Sequence, residues 1–461
     1  VTDFLSGNTV KAPFEIQVED KTYYCLEKLR FLPGRRLVLK VRHQEQLLLL
    51  KLFVPNKKGR REVSREQQGY RACKLAGVPV PQQLLISDNV AGSLAVAYDF
   101  LPDALSFSFT AQNHESRVKA LLDLMVLCHQ GGIYQDDIHI DNILLTPKGL
   151  FLIDLASVRG EAGKPLPKKT SLKNLALLVA QFVPDQQRFI LDELAGYYQA
   201  RGWRYDLSAQ TSFRQLLDKA WQKRKNTYLK KCFRSCTMTA YSHSSHLAYA
   251  FKREFYEQID AVSVEQMDKL VEQGRLLKAG NSATVVLTQW GDRQVVIKRY
   301  NIKSIWHLLK RCWRPSRAAN AWRQGNLLAL LGIETPQVLG FAEQRFGPFR
   351  ARAYLVTDYL DNARELSNVY KDNVPSGSAL KQIQRIFTLM RQYRISHGDM
   401  KASNLLLTEQ GRLELIDLDA MHEHRYDWAF ERAFSRDQRR FLKNWENKPL
   451  QSRLKEYLGH S

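Results

Sequence analysis

Two distant stretches of the chain carry the same chemistry-bearing residue types at almost the same spacing. Residues 134–156 read YQDDIHIDNILLTPKGLFLIDLA, and residues 396–420 read SHGDMKASNLLLTEQGRLELIDLDA. Each has an Asp, an Asn five positions later, then Leu-Leu-Thr, a Gly turn and Leu-Ile-Asp-Leu. Asp137, Asn142 and Asp154 in the first stretch answer to Asp399, Asn404 and Asp417 in the second. Carboxylate and amide oxygens are hard donors that suit Mg²⁺, and a loop Asp can accept the proton of a hydroxyl. Taken singly, each residue has a plainer use, since an Asp after a strand ordinarily caps a turn. The whole set recurring in order is what points to chemistry.

The elements that must position these residues also recur. GVPVP at 77–81 echoes GIETP at 332–336, and LLLLKLF around Lys51 echoes VVIKRY around Lys298. Alternating apolar and β-branched residues over 36–54 and 284–300 predict antiparallel strands. Helices are expected over 63–76 and 318–331, each stopped by a Gly shortly before a Pro. A further strand (94–100; 353–359) leads into a mainly helical half that holds the repeated segments. The expected organisation is a first domain over 1–236, a Ser-, Thr- and His-rich linker over 237–269, and a second domain over 270–461.

The order of Gly turn, strand Lys, helix, Asp-x4-Asn and Ile-Asp resembles the protein-kinase-like superfamily. HGDMKASN at 397–404, with SRAANAWRQGNLLALLGIETPQVLGFAE at 316–343 and RDQRRFLKNW at 436–445, is similar to the bacterial lipopolysaccharide core kinases of the Kdo/heptose kinase group. The resemblance covers most of 270–461 and, more loosely, 20–235. It implies an α+β fold of two tandem protein-kinase-like bilobal domains, each with an antiparallel β N-lobe and a mainly helical C-lobe, and it implies ATP and Mg²⁺ as cofactors. Phosphoryl transfer asks the protein mostly to position a nucleotide and neutralise charge. By resemblance, Lys298 would hold the α and β phosphates, Asn404 and Asp417 the Mg²⁺, Asp399 would be the base, Lys401 would reach the γ phosphate, and His397 would brace the loop.

The first copy offers Lys51, Asp137, Asn142 and Asp154 at the same places, with Gln135 for His397 and His139 for Lys401. Two acidic residues on its helix, Glu62 and Glu66, are candidate partners for Lys51, and Glu66 has the matching distance to Gly77. The second copy has no such partner. No Asp or Glu occurs between Lys298 and Glu334, and Ala321 stands where Glu66 would. Each copy has one glycine in place of a full glycine-rich loop: Gly34 and Gly280.

Over 461 residues, 69 Lys and Arg against 47 Asp and Glu leave a net charge of +22, which favours an acidic partner. Basic clusters occur at 57–65 and 223–234. A third, over 302–317, reads as a basic amphipathic helix with Trp306 and Trp313 as aromatic anchors, fit for an anionic membrane surface. The resemblance implies a lipopolysaccharide core or lipid-linked sugar as acceptor. No groove-reading helix or base-stacking platform suggests a nucleic acid. Six scattered cysteines fit a reduced compartment. No secretory leader and no membrane span is expected, so the protein is placed in the cytoplasm, peripheral at the inner membrane of a Gram-negative bacterium. The alternatives are a kinase with a protein or small-molecule acceptor, and a non-catalytic pseudokinase scaffold.

Overall fold

The structure, a computed structural model, describes residues 12–445 except 19–20, 33, 91–92, 281, 302–314, 373 and 376, together with residue 454. The expected amphipathic helix over 302–317 therefore lies almost wholly outside the described residues. The chain divides into two compact units, Val1–Arg224 and Lys225–Ser461, and the division falls within the helix Leu207–Lys231. The architecture is mixed, with antiparallel sheets and helices.

The first unit opens with a six-stranded antiparallel sheet. Its strands lie side by side in the order Phe14–Val18, Lys21–Leu32, Arg36–His43, Gln46–Phe53, Ser93–Asp99, Gln83–Val90. Alternation along Gln46–Phe53 puts Leu48, Leu50 and Leu52 into one apolar cluster with Leu37, Leu39 and Val41. Successive side chains of a strand face opposite ways, so Lys51 goes to the other face. Its register partners are Val38 and Val96, which sets it in the middle of the sheet. The helix Lys57–Leu75 follows, capped by the Asn56 side chain on the N–H groups of Lys58 and Gly59. It stops before Gly77, whose φ of +70° a side chain would resist. Gly69 lets this helix close on the turn after Asp154: a Cβ there would lie 2.0 Å from the Leu155 carbonyl oxygen. The rest of the unit is helical, apart from short strands carrying the loop 133–160.

In the second unit seven antiparallel strands lie in the order Thr239–His243, Leu247–Lys252, Val338–Phe346, Phe349–Asp358, Arg293–Tyr300, Ala283–Trp290, Arg275–Gly280. Lys298 sits between Val285 and Leu355 in register. The helix Arg317–Leu331 is capped by Ser316 and ended by Gly332 at φ +69°. The stretch 237–269 is structured, contrary to its reading as a linker. Its first part is a hairpin on the sheet, and its helix, Val264–Gln273, sends Met267, Leu270 and Val271 into the core. The Ser- and His-rich composition that suggests a linker is what an edge strand tolerates on its open side. Among the described residues, no helix is long and apolar enough to cross a membrane.

Candidate active site

Each unit ties its helical half to its sheet through the same backbone bonds. In the first, Asp99 N–H donates to Gln82 O, Leu152 N–H to Pro79 O and Ile153 N–H to Asn142 O; in the second, Asp358 donates to Gln337, Leu415 to Glu334 and Ile416 to Asn404, all at 2.8–2.9 Å. One bond of each set, Leu152 to Pro79 and Leu415 to Glu334, ties the strand before the Asp to the segment that follows the helix. Asp154 and Asp417 then both take the left-handed conformation, at φ +59° and +64°. Asp tolerates that region better than most residues, though it still costs about 1 kcal/mol.

In the second unit, Lys298 Nζ bonds directly to Asp417 Oδ1 and lies 3.5 Å from Asp419 Oδ2. It also stands 5.1 Å from the centroid of the Tyr300 ring. Burial works to raise the Asp417 pKa, but the charge and hydrogen bond of Lys298 outweigh it and hold the carboxyl below its usual value. Asp419 goes the other way, raised by burial and by the neighbouring Asp417 charge. Asn404 Nδ2 donates to the Asp399 carbonyl at 2.7 Å, which leaves its Oδ1 as the atom for a hard cation. Among the described residues no group of three His, Cys, Asp or Glu could hold a metal. Mg²⁺ commonly takes only one or two protein ligands beside substrate phosphates, so the pair Asn404 and Asp417 fits that ion bound with a nucleotide.

The Asp399 carboxylate is gripped on both oxygens, by Lys401 Nζ at 2.7 Å and by Arg440 Nη1 at 2.5 Å. Arg440 belongs to the helix Asp427–Leu442, and one turn earlier the same helix presents buried Asp437 to the loop. Asp437 accepts the N–H groups of His397 at 2.6 Å and Gly398 at 3.1 Å. His397 is fully buried, and its Nε2 meets the Ile416 carbonyl at 3.0 Å. Burial pushes its pKa down, against the pull of the Asp437 charge. His397 thus spans from the Asp399 loop to the residue before Asp417.

The first unit brings Lys51 to Glu66, not to Asp154. Lys51 Nζ lies 2.6 Å from Glu66 Oε1, and Tyr98 Oη donates to Glu66 Oε2 at 2.8 Å. Glu62, the rival candidate, is taken by Arg35 at 2.7 Å. Asp154 has Arg36 Nη1 at 3.8 Å. Asn142 Nδ2 donates to Asp137 O at 3.2 Å, the same bond as in the second unit. Gln135 replaces His397 in kind, its Nε2 donating to Ile153 O at 2.7 Å. His139, expected at the place of Lys401, turns back on its own loop toward Asp141 at 3.2 Å. Gly34 lies in the turn before Arg36 at φ +64°, and Gly280 ends a strand exposed along its whole length.

Sequence reasoning passed over Asp419, Asp437 and Arg440. Asp437 and Arg440 leave no local signal, because their partners lie about 40 residues away. Asp419 did leave one: the second copy reads IDLDA where the first reads IDLAS.

Residues 270–457, all in the second unit, match the family model for lipopolysaccharide kinase (Kdo/WaaP). Curated relatives include 3-deoxy-D-manno-octulosonic acid kinases of Vibrio cholerae, 24% identical over 107 residues, and of Actinobacillus succinogenes, 28% identical over 115 residues. The first alignment covers 23% of this chain and 45% of the relative, the second 24% and 48%. The chain spans about half the length of the curated relatives it matches.

Proposed function

We propose that the protein is an ATP- and Mg²⁺-dependent phosphotransferase whose second unit phosphorylates a hydroxyl of a lipopolysaccharide inner-core sugar, heptose or Kdo, at the cytoplasmic face of the inner membrane. The first unit is, on this reading, a second bilobal protein-kinase-like domain. The observation that carries the proposal is the convergence of Lys298, Asp399, Asn404 and Asp417 on one loop-and-strand frame inside the residues that match the lipopolysaccharide kinase family. The repeated bonds and left-handed Asp of the first unit support the tandem reading.

Each side chain then has a task. Lys298 would bind the α and β phosphates, leaving Asp417 to do so. Asn404 Oδ1 and Asp417 would hold Mg²⁺, which when bound supplies neutralising charge to the phosphate oxygens. Asp399 would orient the acceptor hydroxyl and take its proton, an effect of about 10²- to 10⁴-fold. Lys401, freed from Asp399, would meet the γ phosphate. Buried His397 and Asp437 keep the loop in shape without reacting. In the first unit Lys51, Glu66, Asp137, Asn142 and Asp154 would play the matching parts. The net charge of +22 supports docking on an anionic membrane bearing the acceptor.

The test is transfer of label from γ-labelled ATP to purified lipopolysaccharide core. Label on the core, lost in Asp399→Asn and Asp417→Ala, is the expected result; label on added protein or free sugars instead would move the acceptor elsewhere. A second reading, a nucleotide-binding scaffold without turnover, draws on the direct Lys298–Asp417 pair and on the doubly gripped Asp399. It expects stabilisation by Mg–ATP, about 2.7 kcal/mol at 100 times Kd, with no label transferred.

A further inference from the structure

The two units solve one problem with a carboxylate in two different places. In the first, the lysine's partner comes from the helix, where Glu66 is fully buried and 2.6 Å from Lys51 Nζ. In the second, the corresponding helix position is Ala321, also fully buried, so nothing acidic reaches the lysine from that side. The compensating difference lies in the turn. Two residues past Asp154 the first unit has Ala156; two residues past Asp417 the second has Asp419, with Oδ2 3.5 Å from Lys298 Nζ.

We infer that Asp419 is the positioning residue for Lys298, doing from the turn what Glu66 does for Lys51 from the helix. The inference rests on the phosphotransferase reading of this site and names a part that reading lacks. Asp417 cannot fill the post, because it is needed as a cation ligand and a lysine bonded to it competes for the same oxygen. The exposures divide the labour: the Asp417 side chain is 33% exposed and open to a ligand, while Asp419 is 13% exposed. When Asp417 turns to a cation, Lys298 keeps Asp419.

The turn itself is fixed by backbone contacts that do not use the Asp419 carboxylate. Asn320 Nδ2 donates to the carbonyls of Asp419 and Met421, both at 3.0 Å. The carboxylate is therefore left to serve the lysine, with Arg317 Nη1 at 4.0 Å and the Asp417 carboxyl beside it. One consequence separates the units. In the first, the lysine is set only when the helix Lys57–Leu75 is docked; in the second, the lysine and the cation ligand are ordered by the same three-residue turn, Leu418–Ala420 and the Asp before it.

The experiment is titration of the full chain with Mg–ATP in an Asp154→Ala background that silences the first unit, with label transfer measured in parallel. Asp419→Asn keeps the size and removes the charge. It is expected to weaken Mg–ATP binding about tenfold, the scale of one charged hydrogen bond, and to leave KM for the acceptor unchanged. Ala321→Glu added to Asp419→Asn returns a carboxylate from the helix and is expected to recover most of the binding. Wild-type affinity in Asp419→Asn overturns the inference, as does an equal loss in Asp419→Asn and Asp419→Glu with the fold intact. Binding that depends on Asp419 without any label transfer would keep this inference and remove the phosphotransferase reading. No Mg–ATP binding by the unsubstituted second unit would remove both.

Discussion

Behind the loop Asp, the first unit holds its backbone with neutral hydrogen bonds from Gln135 and Asn174; the second uses a buried carboxylate and two cations. In the first, Gln135 reaches Ile153, Asn174 Nδ2 donates to the Gln135 carbonyl at 2.8 Å, and Asn174 is held in turn by the buried His129. In the second, His397 stands where Gln135 does, the carboxylate of Asp437 takes the loop N–H groups, and Lys401 and Arg440 close on Asp399. The order reverses at the lysine, where the first unit has the more deeply buried ion pair. Low dielectric strengthens charge–charge contacts and makes unpaired ones costly. The first unit invests that cost in docking its helix, and the second in shaping the loop around its Asp.

The largest effect expected from this contrast is on rate. Asp399→Asn should lower label transfer about 10²- to 10⁴-fold, while Asp137→Asn, in the unit outside the matched residues, should leave most of it. Transfer that survives Asp399→Asn and falls with Asp137→Asn would reverse the assignment of the working site. Next in size is stability. Glu66→Ala strands Lys51, whose side chain is 11% exposed, and breaking such a pair costs about 3–5 kcal/mol. Amide exchange should speed across Lys57–Leu75, whereas Asp419→Asn should change exchange across Arg317–Leu331 much less, since Lys298 keeps Asp417. Equal effects would remove the distinction between a helix-set and a turn-set lysine.

These contrasts mark what a linear reading reaches. Asp137, Asn142 and Asp154, and their counterparts Asp399, Asn404 and Asp417, were legible because each set lies within about 20 residues and its geometry is made by local turns. Glu66 was legible because one helix face carries both acidic candidates and the distance to Gly77 chose between them. What Lys298 binds was not legible, since the lysine and Asp419 are 121 positions apart and meet only through sheet and turn packing. Asp437 and Arg440 are similar, appearing in the sequence as two members of a charged surface helix. The hairpin over 239–252 was misread because polar edge strands and linkers share a composition.

A pH titration sharpens the comparison in the first unit. Burial lowers the His129 pKa from 6.5 to about 4, with Tyr197 and Asn174 bonded to its two nitrogens. The folded value lies below the unfolded one, so the unfolded chain binds the proton first. Stability from the neutral ring is full above about pH 6.5 and falls as pH drops toward 4, by up to about 3 kcal/mol. Exchange across the helices His114–Gln130 and Lys168–Val179 should quicken over that window and level off below it. His397 shifts in the same direction in the second unit, but there the Asp437 charge opposes burial. The acid sensitivity of the loop 396–404 should therefore set in with a different profile from that around His129; coincident profiles would mean that the neutral and charged networks respond alike.

The smallest expected effect is the removal of Arg440. Its side chain is 49% exposed and that of Asp399 28%, and an ion pair this open is worth no more than about 1 kcal/mol. Arg440→Ala should thus leave the melting temperature nearly unchanged. It should still alter turnover, because the same guanidinium also donates to the Gly398 carbonyl at 3.1 Å and so fixes the peptide just before the proposed base. A fall in kcat with KM for ATP unchanged is the expected pattern, and Arg440→Lys, whose single ammonium can make both bonds that Nη1 makes, should recover most of it. A variant equal to wild type in kcat would reduce Arg440 to a surface charge and leave Lys401 as the cation that matters at Asp399.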